Sequence, residues 1–398
     1  MKHDELIDRV RLMHHYMQTG TTATDPTGPV RQAVSTYTDP EQWEREKDLI
    51  FARTPALVCF SCDLPEVGDY RTHDDLGVPL FVVRGQDGRV RAFLNACSHR
   101  ASRLLEGAGQ VKGRLVCPYH AWAYDLEGGL AGVHREETVG PIDRACYGLQ
   151  ELPCEEKYGF VYVSPDPDAA LSVDEHLGSL AADFASWDLG QGECVKRGSF
   201  EIRSNWKLAL DTFCEGYHFQ PLHPMTIGNV SVTNCSTYDR FGRDGEHHRL
   251  GFPAKTMEAL IDRPESEWGD PMQRANFVYQ IFPNIVLMVS AGTYEFFQVY
   301  PGDRVNEHVT RYSLYSRTPI ASEEERASKQ AHFDFVYGVV ESDDYKTSAA
   351  VQKNFDAGRV RYTTFGRNEP ALINLHRTLR LKTGLPPLEE PPLSGAVA

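Results

Sequence analysis

Apolar side chains recur at helical spacing at the start of the chain. Leu6, Val10, Met13 and Met17 fall on one stripe and predict an amphipathic helix over 1–18. A Gly/Thr/Pro-rich loop follows at 20–29, and Asp39-Pro40 opens a second predicted helix over 40–52, because proline fits the first helical turn. From about residue 55 the period shortens. A-L-V-C-F, P-L-F-V-V-R and V-R-A-F-L-N read as short strands, the last two joined by a hairpin turn at 85–88. R-L-V at 114–116, A-W-A-Y-D-L with a turn at 127–129, and Y-G-F-V-Y-V-S at 158–164 continue the series.

After Asp166 the pattern becomes mixed. A short helix is predicted over 172–180, then a strand at F-E-I-R-S-N-W-K and a helix over 206–219. Strands follow within 277–299 and at 309–316, then a long helical region over 322–357 and a last helix after G-R-N-E-P at 366–370. The predicted class is α+β. Residues 1–44 form helices that pack on the later domain, 45–165 form a small all-β domain inserted before it, and 166–398 form an antiparallel sheet with helices.

Composition narrows the partners. The 398 residues exceed the roughly 100–200 of one ordinary domain. A formal charge of −15 argues against nucleic acid, whose phosphates would be repelled. The nine cysteines are scattered without a disulfide framework, and Cys59-x2-Cys62 lies in an apolar run that packs. Acidic residues interrupt the start, no signal peptide is read, and no stretch approaches the ~18–20 apolar residues of a membrane span. The reading is a reduced, cytoplasmic protein.

The chemistry concentrates first between residues 97 and 120, in C-x-H-x17-C-x2-H: Cys97, His99, Cys117 and His120. Each close pair offers one thiolate and one imidazole. Zinc sites commonly pair like with like, as C-x2-4-C and H-x3-5-H. Mixed pairs suit a [2Fe–2S] cluster with two cysteines on one iron and two histidines on the other. Zinc remains the competing metal, and four core residues in this order the bland alternative.

A second constellation lies in the predicted helix at 206–219. Glu215 and His218 are three apart and share a helix face. His223 lies too far round for a regular helix, but Pro221 cannot donate to the carbonyl of Tyr217 and should end or bend the helix. Such a bend brings His223 back beside His218. Two histidines and a carboxylate make the facial set of non-haem Fe(II) oxygenases. On the late helix Val336, Val340, Asp344, Ser348, Val351 and Phe355 form one stripe, and an acid inside it is costly unless paired or metal-bound. Asp343 is the rival. His247-His248, in the charged stretch R-D-G-E-H-H-R, reads as a solvated loop.

N-A-C-S-H-R with C-P-Y-H-A-W-A-Y-D-L-E-G-G, and N-W-K-L-A-L-D-T-F-C-E-G-Y-H-F-Q-P-L-H downstream, resemble the two motifs of the Rieske non-haem iron oxygenase α-subunit family. P-E-V-G-D-Y at 65–70, F-P-N at 282–284 and the late G-R-N-E extend the resemblance over nearly the whole chain. It implies a helix-grip-like second domain, one [2Fe–2S] cluster on Cys97, His99, Cys117 and His120, and one Fe(II) on His218, His223 and Asp344. The family's third ligand stands about eight positions before a glutamine, as Asp344 stands before Gln352. Most members carry Asp where this chain has Glu215, and there it bridges the iron histidine to a cluster histidine of the next subunit. Members with Glu include oxygenases of quaternary ammonium compounds.

The resemblance further implies an NAD(P)H-dependent reductase or ferredoxin as electron donor, a homo-oligomer of trimeric ring form, and in some members a small β subunit. The expected reaction uses O2 to hydroxylate or dihydroxylate a small organic, typically aromatic, substrate. The alternative is demethylation or hydroxylation of a methylamine or quaternary ammonium compound. A different class is an electron carrier with an inactive second domain. Asp211 is expected to hydrogen-bond around the iron helix. Leu210, Phe213, Ile281, Val286, Met288, Phe296 and Phe297 are the expected substrate wall. A quaternary ammonium would want an aromatic cage or an acid near the iron.

Overall fold

The computed structural model describes residues 1–187 and 189–390; residues 391–398, the end of the Pro-rich tail, lie outside this description. Among the described residues no helix is long and apolar enough to cross a membrane, and no disulfide forms.

The chain divides into two units. The smaller is Phe51–His176 with a short later stretch. Ala56–Phe60, Leu80–Arg84 and Val90–Leu94 are strands, as their alternation predicts. They belong to antiparallel sheets of three and five strands, and a third sheet carries Leu115–Val116, Ala123–Tyr124 and Leu130–Gly132. Phe81, Val83, Phe93, Leu115 and Tyr124 form a core that also takes in Cys97 and Cys117.

The larger unit joins Met1–Ile50 and Leu177–Trp187 to the chain from Glu193 onward. The expected boundaries at 45 and 166 thus shift. The second helix, Pro40–Glu46, continues as a π turn, Lys47–Phe51. A strand at Val30–Ala33, hidden beside the Gly/Thr/Pro loop, pairs with Tyr362–Phe365. The strand expected at 200–207 runs instead over Glu193–Ile202, and Trp206 and Lys207 open a helix.

Seven antiparallel strands form the main sheet. Its register separates two faces. Leu250, Val278, Met288 and Glu295 follow one another across strands on one face, which Phe252 shares, and Arg249, Tyr279, Leu287 and Phe296 on the other. The second face is closed by the N-terminal helix His3–Thr19 and by 181–184, since Arg249 donates to Glu5 (2.5 Å), Asp183 (2.5 Å) and Asp239 (2.8 Å). His247 and His248 are therefore not solvated. They open a wholly buried strand, His247–Pro253. Of the charges that suggested a loop, Arg249 is spent on buried ion pairs, and burial lowers His248 to about 3.

The helix Trp206–Asp211 is anchored by charge. Glu46 Oε2 accepts from Lys207 Nζ at 2.6 Å and from Trp206 Nε1 at 2.9 Å, with the lysine and the glutamate both buried. Removing one member of a buried pair costs about 3–5 kcal/mol because the other charge is left unpaired. Lys207→Met is expected to lower unfolding stability by about that amount, read as a fall in the urea midpoint; an unchanged midpoint would show that the pair does not anchor the helix.

Candidate functional site

The first four donors sit on two loops of one build. In each, the cysteine N–H donates to the carbonyl five residues on: Cys97 to Ser102 and Cys117 to Trp122, both at 2.8 Å. The residue four on donates back to the cysteine carbonyl, Ala101 at 2.8 Å and Ala121 at 3.0 Å. Closing the loop this way needs a left-handed residue, and Ala101 and Ala121 have φ of 55° and 57°. That costs roughly 1–2 kcal/mol for an L-residue. The shared C-x3-A spacing was a readable sign of this repeat.

His99 and His120 leave these loops with ring centroids 4.8 Å apart. Trp122 stacks on His99 at 4.8 Å and 5°, and Tyr124 Oη lies 3.0 Å from Cys97 Sγ. Burial opposes a thiolate at Cys117, but the N–H groups of Tyr119 and His120 help to outweigh it and lower the thiol. Burial, then His120 and Arg100, lower His99, favouring the neutral ring that ligates. Nδ1 of His120 is buried without a hydrogen-bond partner. Two buried sulfurs and two imidazoles, one with an orphaned nitrogen, fit a [2Fe–2S] cluster of mixed ligation.

In the larger unit the helix expected over 206–219 stops at Asp211. Thr212 Oγ1 turns back to the Ala209 carbonyl at 2.8 Å, and Gly216 weakens any continuation. A new short helix, Phe219–Leu222, starts after His218. Pro221 thus sits within a first turn, where a missing N–H leaves no bond unmade, and the break lies before it. Glu215 fills the gap. Its Oε2 accepts from the N–H groups of Tyr217 and His218, and its Oε1 accepts the Nδ1–H of His218. The pairing of Glu215 with His218 comes from this fold-back, not from a shared helix face.

His223 follows the short helix, its ring 5.2 Å from that of His218. Asp344 stands on a π turn, Val340–Tyr345, between the helices Glu323–Val339 and Lys346–Asp356; such turns recur at functional sites. Its Oδ1 lies 3.5 Å from His218 Nε2 and 3.3 Å from His223 Nε2. Asp343 instead holds His223 Nδ1 at 3.0 Å. Both inner nitrogens therefore converge on Asp344, and both outer nitrogens are tied by other carboxylates. The three donor atoms lie within 4.8 Å of one another.

Burial disfavours the imidazolium of His218, but Asp344 and Glu215 outweigh it and raise its pKa to about 9. Burial likewise pushes Asp344 up, and the two imidazoles more than offset it. These groups share protons that a metal ion would displace.

Asp211 does not touch the histidine pair. It accepts from Tyr37 Oη and His376 Nε2, both at 2.8 Å. Gln352 accepts from the N–H of Asn205 at 3.0 Å and so ties the late helix to the start of the first. Glu369, within the G-R-N-E stretch, is a neighbour missed as a site group: burial, despite the Gly366 N–H and with Glu215 and Asp211 adding, lifts it to about 7.

A cavity of about 270 Å³ reaches His218, His223 and Asp344. Phe213 and Met288 line it. Leu210, Ile281, Val286, Phe296 and Phe297, expected there, do not. Ile281 and Phe296 have the wrong strand parity. Val286 and Phe297 have the right parity but pair with each other farther along the sheet, where Phe213 packs on Phe297 at 4.9 Å. Leu210 is fully buried in its helix. Val278, Glu295, His332 and Phe335 line the cavity unforeseen; parity from Met288 would have found the first two.

Residues 189–384 match the model of the ring hydroxylating alpha subunit (catalytic domain), and residues 54–146 that of the Rieske [2Fe-2S] domain. The chain is 37% identical over 198 residues to the carnitine monooxygenase oxygenase subunit of Escherichia coli (strain K12), covering 49% of this chain and 53% of that protein. It is 36% identical over 187 residues to the 2-aminobenzenesulfonate 2,3-dioxygenase subunit alpha of Alcaligenes sp, covering 46% and 47%. The chain spans about half the length of the curated relatives it matches. The solved quaternary ammonium Rieske monooxygenase CntA in complex with L-carnitine superimposes with a TM-score of 0.74 at 21% identity, over 89% of this chain and 96% of that one. At that identity the likeness shows the fold.

Asp344→Ala is expected to abolish binding of a mononuclear metal, and Asp343→Ala to weaken it about 10–100-fold, as for a residue that orients a ligand. Metal titration of the two variants checks this; the reverse order would exchange their roles. Visible cluster absorption should be unchanged in both.

Proposed function

This chain belongs to the Rieske non-haem iron oxygenase α-subunit family, and from that premise we propose that it is a terminal oxygenase component that hydroxylates a small organic substrate with O2. The observation that carries this is the convergence of His218 and His223 on Asp344 at the wall of an apolar cavity. When bound, the [2Fe–2S] cluster and the mononuclear iron supply one-electron transfer and O2 chemistry. Cys97, His99, Cys117 and His120 hold the cluster. His218, His223 and Asp344 hold the iron, with Glu215 and Asp343 fixing the ring tautomers. Phe213, Val278 and Met288 keep water from the substrate and strengthen the polar contacts around it.

Glu215 has a second role. Its carboxylate, bound to His218 Nδ1, is the link to His120 of the partner subunit, so the working form is a homo-oligomer, and the family resemblance makes it a trimeric ring. Electrons come from a separate NAD(P)H-dependent reductase or ferredoxin. The substrate is a methylamine or quaternary ammonium compound; Glu at 215 and the carnitine monooxygenase relative support this. Ring hydroxylation is the second reading, favoured by the apolar wall and the aminobenzenesulfonate dioxygenase relative.

The reconstituted protein is expected to hold about three irons per chain, two of them in the cluster, and to consume NADH and O2 with an ammonium substrate, the product identified by mass. A colourless zinc protein, or about two irons per chain, would overturn the oxygenase reading. Glu215→Gln should retain both metals and slow single-turnover electron transfer about 10–100-fold; an unchanged rate would remove the bridge.

A further inference from the structure

The cavity beside His218 and His223 contains one further acid. Glu295 lies on the strand Thr293–Pro301, on the face shared with Met288, and is 8% exposed. Its Oε1 accepts from His332 Nε2 at 2.9 Å across the gap to the helix Glu323–Val339. The two partners differ in setting. The Glu295 side chain is 11% exposed and that of His332 43%. The acid is deep in the wall, and its imidazole partner stands in partial contact with solvent.

A carboxylate in such a wall is expensive unless paired. The neighbours of Glu295 on that face, Met288, Phe297 and Leu314, are apolar, and of the polar groups there Tyr312 on the adjacent strand interacts with it. His332 gives only a screened, replaceable partner. Four phenylalanines, Phe213, Phe219, Phe252 and Phe335, line the same cavity. Aromatic faces and a buried carboxylate both attract a cation, the more strongly as water is excluded. No lysine or arginine is among the described residues that line the cavity. Apart from His218 and His223, the one basic side chain a substrate carboxylate would find among those residues is His332, already held by Glu295. A neutral hydrocarbon would desolvate the acid without giving it a partner.

We infer that Glu295 is the specificity-determining residue of this cavity, selecting a substrate with a cationic nitrogen and an apolar body and rejecting one that carries a carboxylate, with His332 as the stand-in partner that the cation displaces. This rests on the ammonium reading above and narrows it: a substrate with an acid at its other end, as carnitine has, would leave that end unpaired.

Binding to the metal-loaded protein, measured by calorimetry without turnover, tests this. The probes are benzyltrimethylammonium, benzylamine, benzyl alcohol and benzoate, alike in size and different in charge. Either cation is expected to bind at least about tenfold more tightly than the alcohol or benzoate. Glu295→Gln should remove that preference and leave benzyl alcohol affinity unchanged, which a merely structural role would not do. His332→Gln should leave cation binding equal or tighter. Tightest binding of benzoate, equal binding of all four, or an unaltered preference in Glu295→Gln would overturn the inference. If the preference holds but no substrate is oxidised, the oxygenase reading fails alone. If ring compounds are oxidised and Glu295→Gln changes nothing, this inference fails alone.

Discussion

A carboxylate taken out of water must share its charge. Asp344 stands on a helical stripe with Val340 and Phe355, and its oxygen is shared by two imidazoles. That need fixes the positions of two segments far apart in the chain. The late helix is drawn to the first by further polar contacts: Ser348 to Ser204 at 3.0 Å, and Gln352 to the backbone of Asn205. Glu46 then ties the opening of that first helix to the N-terminal region. The seven-stranded sheet supplies the floor beneath these contacts, and its opposite face is sealed by the ion pairs of Arg249.

Both metal sites obtain rigidity outside regular secondary structure. In the smaller unit two reciprocally hydrogen-bonded loops hold left-handed alanines and present buried sulfurs. In the larger, a side chain replaces absent helix bonds. Glu215 accepts from backbone and ring together, so the local path of the chain and the orientation of His218 are set by one group.

The donor residues were legible because metal chemistry restricts both identity and spacing. Cys97, His99, Cys117 and His120 announce themselves in one short stretch, whereas His218 and His223 were paired through a bend expected at Pro221, and the break lies before it. The class of fold was equally legible from the shift between helical and alternating periods. Other features depended on long-range packing. The break after Asp211 arises from Thr212 and Gly216 acting together, and no period records it. His247 and His248 looked solvated because the partners of their neighbour Arg249 lie as far as 244 residues away, as Glu5 does. Several wall residues were misplaced because hydrophobicity alone does not say which face of a two-sided buried sheet a residue occupies.

That two-sidedness has an evolutionary consequence. Along 275–281, 285–289 and 293–301, successive residues alternate between the cavity face and the sealed face. Inherited changes at Val278, Met288 or Glu295 alter what the cavity accepts. Changes at the intervening Tyr279, Leu287 or Phe296 disturb the sealed core. The sheet thus keeps two ledgers in one sequence, and drift in substrate preference can proceed at every second position while the scaffold is conserved at the others. Val278, Met288 and Glu295 all lie outside 211–223 and 340–345, so changes in them leave His218, His223 and Asp344 in place.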